Sequence, residues 1–312
     1  MSAGYPPLVV IVGPTGSGKS DLVAKLAGTT GGTVISADSM QVYRYMDIGT
    51  AKPSPEERQN LDYHLLDVVD PDEDFSAAAF LPLAQQAIAG RKNTGEPVYV
   101  VGGTGLYVKI LLGGIIDGPG PDEELRVGYR AIAAQKGREE LYDLLRGRDP
   151  EAARQINSHD MVRIIRALEV LDLTGESIVK KQKDHGFQEK PYRYLKIGVQ
   201  TDRDTLQERI GRRVDAMMAM GLAEEVRDLL AGGYPAALKS MQSLGYRHMV
   251  RYLHNGWTRE EAVSAMKHDT WRYAKRQMTW FKKDHEIQWH DPRHPGDIIR
   301  AISYWKEAGE NP

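Results

Sequence analysis

An uninterrupted Gly13-Pro14-Thr15-Gly16-Ser17-Gly18-Lys19-Ser20 matches the phosphate-loop pattern G-x-x-x-x-G-K-S, and it follows the apolar run Leu8-Val9-Val10-Ile11-Val12. Residues of these types at this spacing grip an anion. Glycines let the backbone wrap it without side-chain clash, and several N–H groups converge on it together with the positive end of a helix starting at about Lys19. The loop therefore suits a pyrophosphate-like group, which need not belong to ATP although many kinases use the same signature for nucleotide binding. A second candidate is Asp38, which ends the β-branched segment Thr33-Val34-Ile35-Ser36-Ala37. In an open parallel sheet ligands sit at the carboxyl ends of the strands, which would turn Asp38 toward the loop; without the loop nearby, an acid at a strand end would more simply cap the next turn. Arg209 and Arg213 lie four apart on one helix face, so either could reach back over the loop, while for each one taken singly the spacing alone favours a solvated arginine.

The elements that must position these groups follow from the chain's periodicity. Residues 8–12, 33–37 and the run Pro97-Val98-Tyr99-Val100-Val101 have the apolar, β-branched character of strands covered on both faces. The third run ends in Gly102-Gly103, where a phosphoryl-transferring P-loop enzyme usually carries a magnesium-holding aspartate. His64 to Val69 predicts another short strand or extended segment, Tyr194 to Val199 a strand returning to the sheet, and Ile287 to His290 a last edge strand. Helix-start signatures stand at Ser54-Pro55-Glu56-Glu57 and Thr258-Arg259-Glu260-Glu261, and Ser76 to Arg91 reads as an alanine-rich helix. From Asp122 to about Gly175 only helical spacing occurs, after the turn-rich Gly118-Pro119-Gly120-Pro121 and before a charged linker, Lys180 to His185.

The fold expected is therefore α/β: a P-loop kinase-like parallel sheet flanked by helices, with an α-helical insertion domain. The expected division is 1–119 for the first part of the core, 120–190 for the insertion and 191–312 for the second part of the core with its basic C-terminal helices. Met217, Met218 and Met220 and the aromatics Trp271, Trp280 and Phe281 are assigned to packing.

The chain of 312 residues is 41% hydrophobic and has no cysteine, which excludes disulfides, thiolate zinc sites and a thiol nucleophile. No stretch approaches the roughly 18 to 20 apolar residues of a membrane helix, and no basic segment with an apolar core opens the chain. A cytoplasmic monomer without a membrane partner is expected. The net charge of −2 hides an uneven distribution. Residues 1–125 carry 8 Lys and Arg against 16 Asp and Glu, whereas residues 126–283 carry 30 against 21. A basic second half fits a polyanionic partner and, on charge alone, fits equally a set of solvated Arg-rich helices.

Several blocks together resemble the bacterial tRNA dimethylallyltransferase (tRNA isopentenylpyrophosphate transferase) family: 13–20, Ser-Ala-Asp-Ser-Met-Gln-Val-Tyr-Arg at 36–44, Met-Asp-Ile-Gly-Thr-Ala-Lys-Pro at 46–53, Val-Gly-Gly-Thr-Gly-Leu-Tyr at 101–107, Leu-Gly-Tyr-Arg at 244–247 and Ala-Lys-Arg-Gln-Met-Thr-Trp-Phe at 274–281. The resemblance implies transfer of a dimethylallyl group from its diphosphate to the exocyclic amine of the adenosine 3′ of a tRNA anticodon, with release of pyrophosphate. It implies Asp38 as catalytic base, Thr15 at the substrate end of the loop, and Lys19 and Arg213 on the pyrophosphate. The amides of residues 15 to 20, and a Mg2+ ion held by Ser20, would share that charge. The implied partners are dimethylallyl diphosphate and the anticodon stem-loop. The implied RNA contacts are Asp38, Ser39, Met40 and Gln41, Thr104, the stretch Val162, Arg163, Ile164, Ile165 and Arg166, and the stretch Gln242, Ser243, Leu244, Gly245, Tyr246 and Arg247.

Two other readings share the loop. A P-loop small-molecule kinase would use Lys19 and an acid after the second strand, but it needs neither the glycine strand end nor the basic second half. A non-catalytic RNA-binding switch would keep all activity without Asp38.

Overall fold

A computed structural model describes residues 5–92 and 94–308, so the outermost four residues at each end of the expected core lie outside the described residues. In chain order the elements are β1 (Leu8–Val12), α1 (Lys19–Thr30), β2 (Thr33–Ser36), α2 (Pro55–Asn60), β3 (Asp62–His64), α3 (Ala77–Ala89), β4 (Val98–Gly102), α4 (Gly105–Gly113), α5 (Glu123–Lys136), α6 (Arg138–Arg148), α7 (Pro150–Gln155), α8 (Met161–Thr174), α9 (Ile178–His185), β5 (Tyr194–Val199), α10 (Arg203–Ala219), α11 (Leu222–Ala231), α12 (Tyr246–Leu253), α13 (Arg259–Phe281), β6 (Gln288–His290) and α14 (Pro295–Glu307).

The six strands form one parallel sheet in the order β3-β2-β4-β1-β5-β6. The most apolar strand takes the middle: all five residues of β1 are buried, with Val12 level with Gly102 of β4 and Gly198 of β5. One face of the sheet, through Val9, Ile11, Tyr99 and Ile197, packs on Leu22, Val23 and Leu26 of α1 and on Ile298 and Ile302 of α14. The capping signals behave as their chemistry requires. Ser54 and Thr258 each accept from the third helical N–H while Glu57 and Glu261 reach back to the caps.

Two local expectations are corrected. The strand foreseen at His64 to Val69 is Asp62–His64, because Leu65 and Asp67 take positive φ values of 63° and 53° and turn the chain. The segment Lys180 to His185 is helical, within α9, which ends at the left-handed Gly186.

The backbone divides into a unit of residues 1–111 with 191–312, which holds the sheet, and an all-helical unit of Leu112–Lys190. The helical unit has its own core around Leu141, Leu145, Ile164 and Leu168. Gly118-Pro119-Gly120-Pro121 therefore lies inside this unit. Its outgoing and returning chains meet at Gly113, whose carbonyl accepts from Glu189 N–H at 3.4 Å and where a Cβ would sit 2.4 Å from the Phe187 carbonyl oxygen. No helix among the described residues is long and apolar enough to cross a membrane.

Candidate active site

The buried strand β1 delivers the chain into a loop built so tightly that side chains are excluded from it. A Cβ on Gly13 would lie 2.4 Å from the Val199 carbonyl oxygen at the end of β5. Gly18, at φ 92°, caps α1 without any side-chain acceptor, which leaves N–H groups of the first turn for an external anion. The expectation that every amide from 15 to 20 faces that anion is too broad. Thr15 N–H donates to Gln277 Oε1 at 2.8 Å and Ser17 N–H to the Pro14 carbonyl at 3.2 Å. The donors that remain cluster at the helix start.

Lys19 folds back over the loop and donates to the Pro14 carbonyl at 2.8 Å. Burial, reinforced by the positive charge of Arg213 and opposed by Asp38, pushes its pKa down to about 7. Burial also lowers the pKa of Arg213, against the pull of Asp38 and Asp21. Two cations thus line one cavity with Asp38 and Asp21, and cations held there at the cost of burial suit a polyanion. Arg209 is spent on the loop itself, donating to the Ser17 carbonyl at 3.2 Å.

These groups line a cavity of about 520 Å³ that also takes in Thr15, Ser20 and Asp38. A second cavity of about 250 Å³ adjoins it and shares Thr15, Asp38, Thr50 and Arg213. Its walls are mostly apolar and take in Met217, Met266 and Tyr273, and among its lining residues is Ser243, whose hydroxyl is buried without a hydrogen-bond partner. Asp38 stands where the two cavities meet. One carboxylate oxygen accepts from Met40 N–H at 2.8 Å, and Ser39 N–H donates to Thr104 Oγ1 at 3.0 Å. The stretch 38–41 and Thr104 therefore form one structure, continued by Gln41, which accepts from Ser36 and donates to the Ala51 carbonyl at 3.2 Å.

Gln277 is the residue that sequence reasoning passed over. It is buried on α13, where it takes the Thr15 N–H and donates to the Gly103 carbonyl at 3.0 Å. A Cβ on Gly103 would lie 2.2 Å from its Nε2. The second glycine of the β4 end is thus room for an amide bracket, while on the first, Gly102, a Cβ would meet the Ala37 carbonyl oxygen at 2.0 Å. No carboxylate fits there. A second strut, Glu225 of α11, accepts the N–H groups of Asp47, Ile48 and Gly49 and the Tyr246 hydroxyl. It holds the 46–53 block so that the Thr50 carbonyl accepts from Arg213 at 3.4 Å. Lys52 of the same block is buried against Asp47 and Asp67, a structural rather than a ligand-facing lysine.

Val162 to Arg166 belong to the helical unit: Ile164 and Ile165 are in its core and Arg166 is held by Glu169 and the Pro119 carbonyl, which leaves the exposed Val162 and Arg163 as outward groups. Tyr246 is fully buried, so its ring is likewise closed to RNA, whereas Gln242 is exposed. Arg247 pairs with Asp269 at 2.5 Å. Of the groups assigned to packing, Met217 and Phe281 are buried, but Met220 and Trp280 are 59% and 39% exposed.

Among the described residues no cluster of three His, Asp or Glu side chains forms a metal cage. The donors present are hard oxygens, the Ser20 hydroxyl and the Asp38 carboxylate, on one cavity. That set fits a Mg2+ ion held mainly by phosphate oxygens and water.

The chain is similar to known proteins along most of its length. The sequence model of the IPP transferase family matches residues 41–284, and that of isopentenyl transferases matches residues 6–70. The chain is 50% identical over 295 residues to tRNA dimethylallyltransferase 2 of Syntrophus aciditrophicus, and 49% identical over 296 residues to the tRNA dimethylallyltransferase of Geobacter metallireducens, covering 95% of each chain in both cases. The crystal structure of a tRNA isopentenylpyrophosphate transferase from Bacillus halodurans superposes with a TM-score of 0.70 at 39% identity, covering 97% of each chain. A eukaryotic dimethylallyltransferase captured acting on tRNA gives 0.81 at 26% identity, over 98% of this chain and 80% of that one.

Proposed function

The chain belongs to the IPP transferase family, and on that premise we propose that it transfers the dimethylallyl group of dimethylallyl diphosphate to the exocyclic amine of the adenosine 3′ of a tRNA anticodon. The observation that carries this reading is the meeting of a cation-lined cavity and a smaller, largely apolar one at a single carboxylate, Asp38. The first suits a diphosphate and the second a flat base, so the group to be moved lies between them.

The reaction breaks an allylic C–O bond and forms a C–N bond. Negative charge grows on the departing pyrophosphate, and donors already aimed at it lower the barrier: the first-turn amides of α1, Lys19 and Arg213. A Mg2+ ion bound through Ser20 and the diphosphate oxygens would supply further charge neutralisation. An adenine amine is a poor nucleophile because its lone pair is delocalised, and Asp38 takes its proton as the new bond forms. Reaching that amine requires extruding the base from its stack.

Mass spectrometry of tRNA nucleosides after incubation with the protein and dimethylallyl diphosphate tests the proposal. A mass gain of one dimethylallyl group on adenosine, with pyrophosphate released in equal amount, is expected. An unmodified tRNA together with RNA-independent turnover of ATP would replace it with a kinase.

A further inference from the structure

The turn before the 46–53 block holds Tyr45 at φ 64°, a backbone conformation uncommon for a residue with a side chain, and leaves 58% of it exposed. Its ring lies 6.3 Å from that of Tyr234, tilted by 32°. The two rings line a groove of about 690 Å³ together with Ile48, Met220 and Leu229, and Met220 is 59% exposed. Apolar groups gathered and left open in one groove mark a binding surface, where scattered ones do not. The groove shares no lining residue with either cavity of the candidate active site.

Charge narrows what can sit there. The lining includes the carboxylates of Asp47, Glu224, Glu225 and Asp228 and no Lys, Arg or His. Glu225 is taken up by the 47–49 turn and Asp47 by Lys52. Glu224 meets Arg227 at 3.5 Å with both side chains more than half exposed, a pairing of little worth in water. Asp228, one turn further along α11, has no hydrogen bond or ion pair on its carboxylate among the described residues. Such a surface repels RNA phosphates, whereas Lys and Arg side chains find on it both carboxylates and aromatic faces. A bare amine would satisfy the acids but leave the Met220 and Ile48 wall in water. We propose that this groove docks a basic peptide segment of another protein, one with aliphatic side chains between flanking Lys or Arg residues. The aliphatic groups cover the Met220 and Ile48 wall, and the cations pair with Glu224 and Asp228 or stack on the tyrosine rings. This surface is independent of the reaction proposed above.

The test is fluorescence anisotropy of the full-length protein with two labelled peptides of equal charge, Lys-Arg-Leu-Leu-Arg-Lys and Lys-Arg-Ser-Ser-Arg-Lys. The leucine peptide should bind about tenfold more tightly than the serine peptide, because only it covers the apolar wall. Glu224→Lys with Asp228→Lys should weaken its binding on the order of tenfold, and Met220→Ser severalfold. Glu139→Lys with Glu140→Lys, at exposed acids of the helical unit, should leave it unchanged. Equal binding of the two peptides by the wild type, or no binding of the leucine peptide, overturns the proposal without recourse to any variant. A loss as large in the Glu139 and Glu140 variant as in the Glu224 and Asp228 variant reduces the binding to general attraction and overturns it. Displacement of the leucine peptide by spermidine at equal concentration makes the groove a small-cation site and overturns it too.

Discussion

A carboxylate at the junction of two cavities has one task that its amide cannot perform. Asp38→Asn keeps the carbonyl oxygen that accepts from Met40 N–H, so the turn survives while the proton acceptor is lost. We expect kcat to fall by about 10² to 10⁴ with RNA affinity unchanged, read from single-turnover kinetics beside equilibrium binding. An equal loss in both would remove the base from the mechanism. Lys19 makes a second, thermodynamic prediction. Its folded pKa of about 7 lies below its ordinary 10.5, so between those values the empty protein binds fewer protons than the unfolded chain. Its contribution to stability is therefore whole above the ordinary pKa and is lost as pH falls toward 7. A bound diphosphate restores the charge, so at pH 8 binding takes up part of a proton that Lys19→Met does not. Calorimetry in two buffers of different ionisation heat measures the difference, and identical uptake in both proteins would contradict it.

At the level of elements, the phosphate loop depends on α13, whose Gln277 lies 262 residues beyond Thr15 in the chain. Gln277→Leu leaves Thr15 N–H and the Gly103 carbonyl without partners, at a cost of about 1–3 kcal/mol if both stay buried. Chemical denaturation should show that loss, and KM for the prenyl donor should rise as the loop loosens; an unchanged denaturation midpoint would dismiss the bracket. This dependence also marks where the sequence stops being legible. The loop, Asp38, the capping boxes and the central strands are visible because each is encoded locally, by glycine placement, apolar runs or cap spacing. Gln277 and Glu225 act through partners far away in sequence, and no local pattern distinguishes a buried bracket from a solvated amide or acid. The same limit explains Ile164 and Ile165. Their motif suggested RNA contact, but helical periodicity around Leu168 turns them into the core of their unit.

Across the whole molecule, many charges of the basic half are neutralised internally. Arg126 and Arg166 share Glu169, Arg148 holds Asp172, and Arg247 holds Asp269. On α13 the pattern differs: Lys275 and Arg276 lie over the rings of Trp271 and Tyr273. If those two cations meet phosphates, Lys275→Gln with Arg276→Gln should reduce the slope of log affinity for RNA against log salt by about 1 to 2. An unaltered slope would make them bystanders. The sheet order carries a consequence for how such a chain is made. The middle strand β1 needs β5 on one side, and β5 starts at Tyr194. At ordinary translation speeds, roughly ten to forty seconds separate the emergence of these two partners from the ribosome. The helices of 112–190 need only one another and can settle during that wait. One long border of the sheet stays unzipped meanwhile, and shielding this apolar ribbon from neighbouring nascent chains becomes a task for the cell's chaperones.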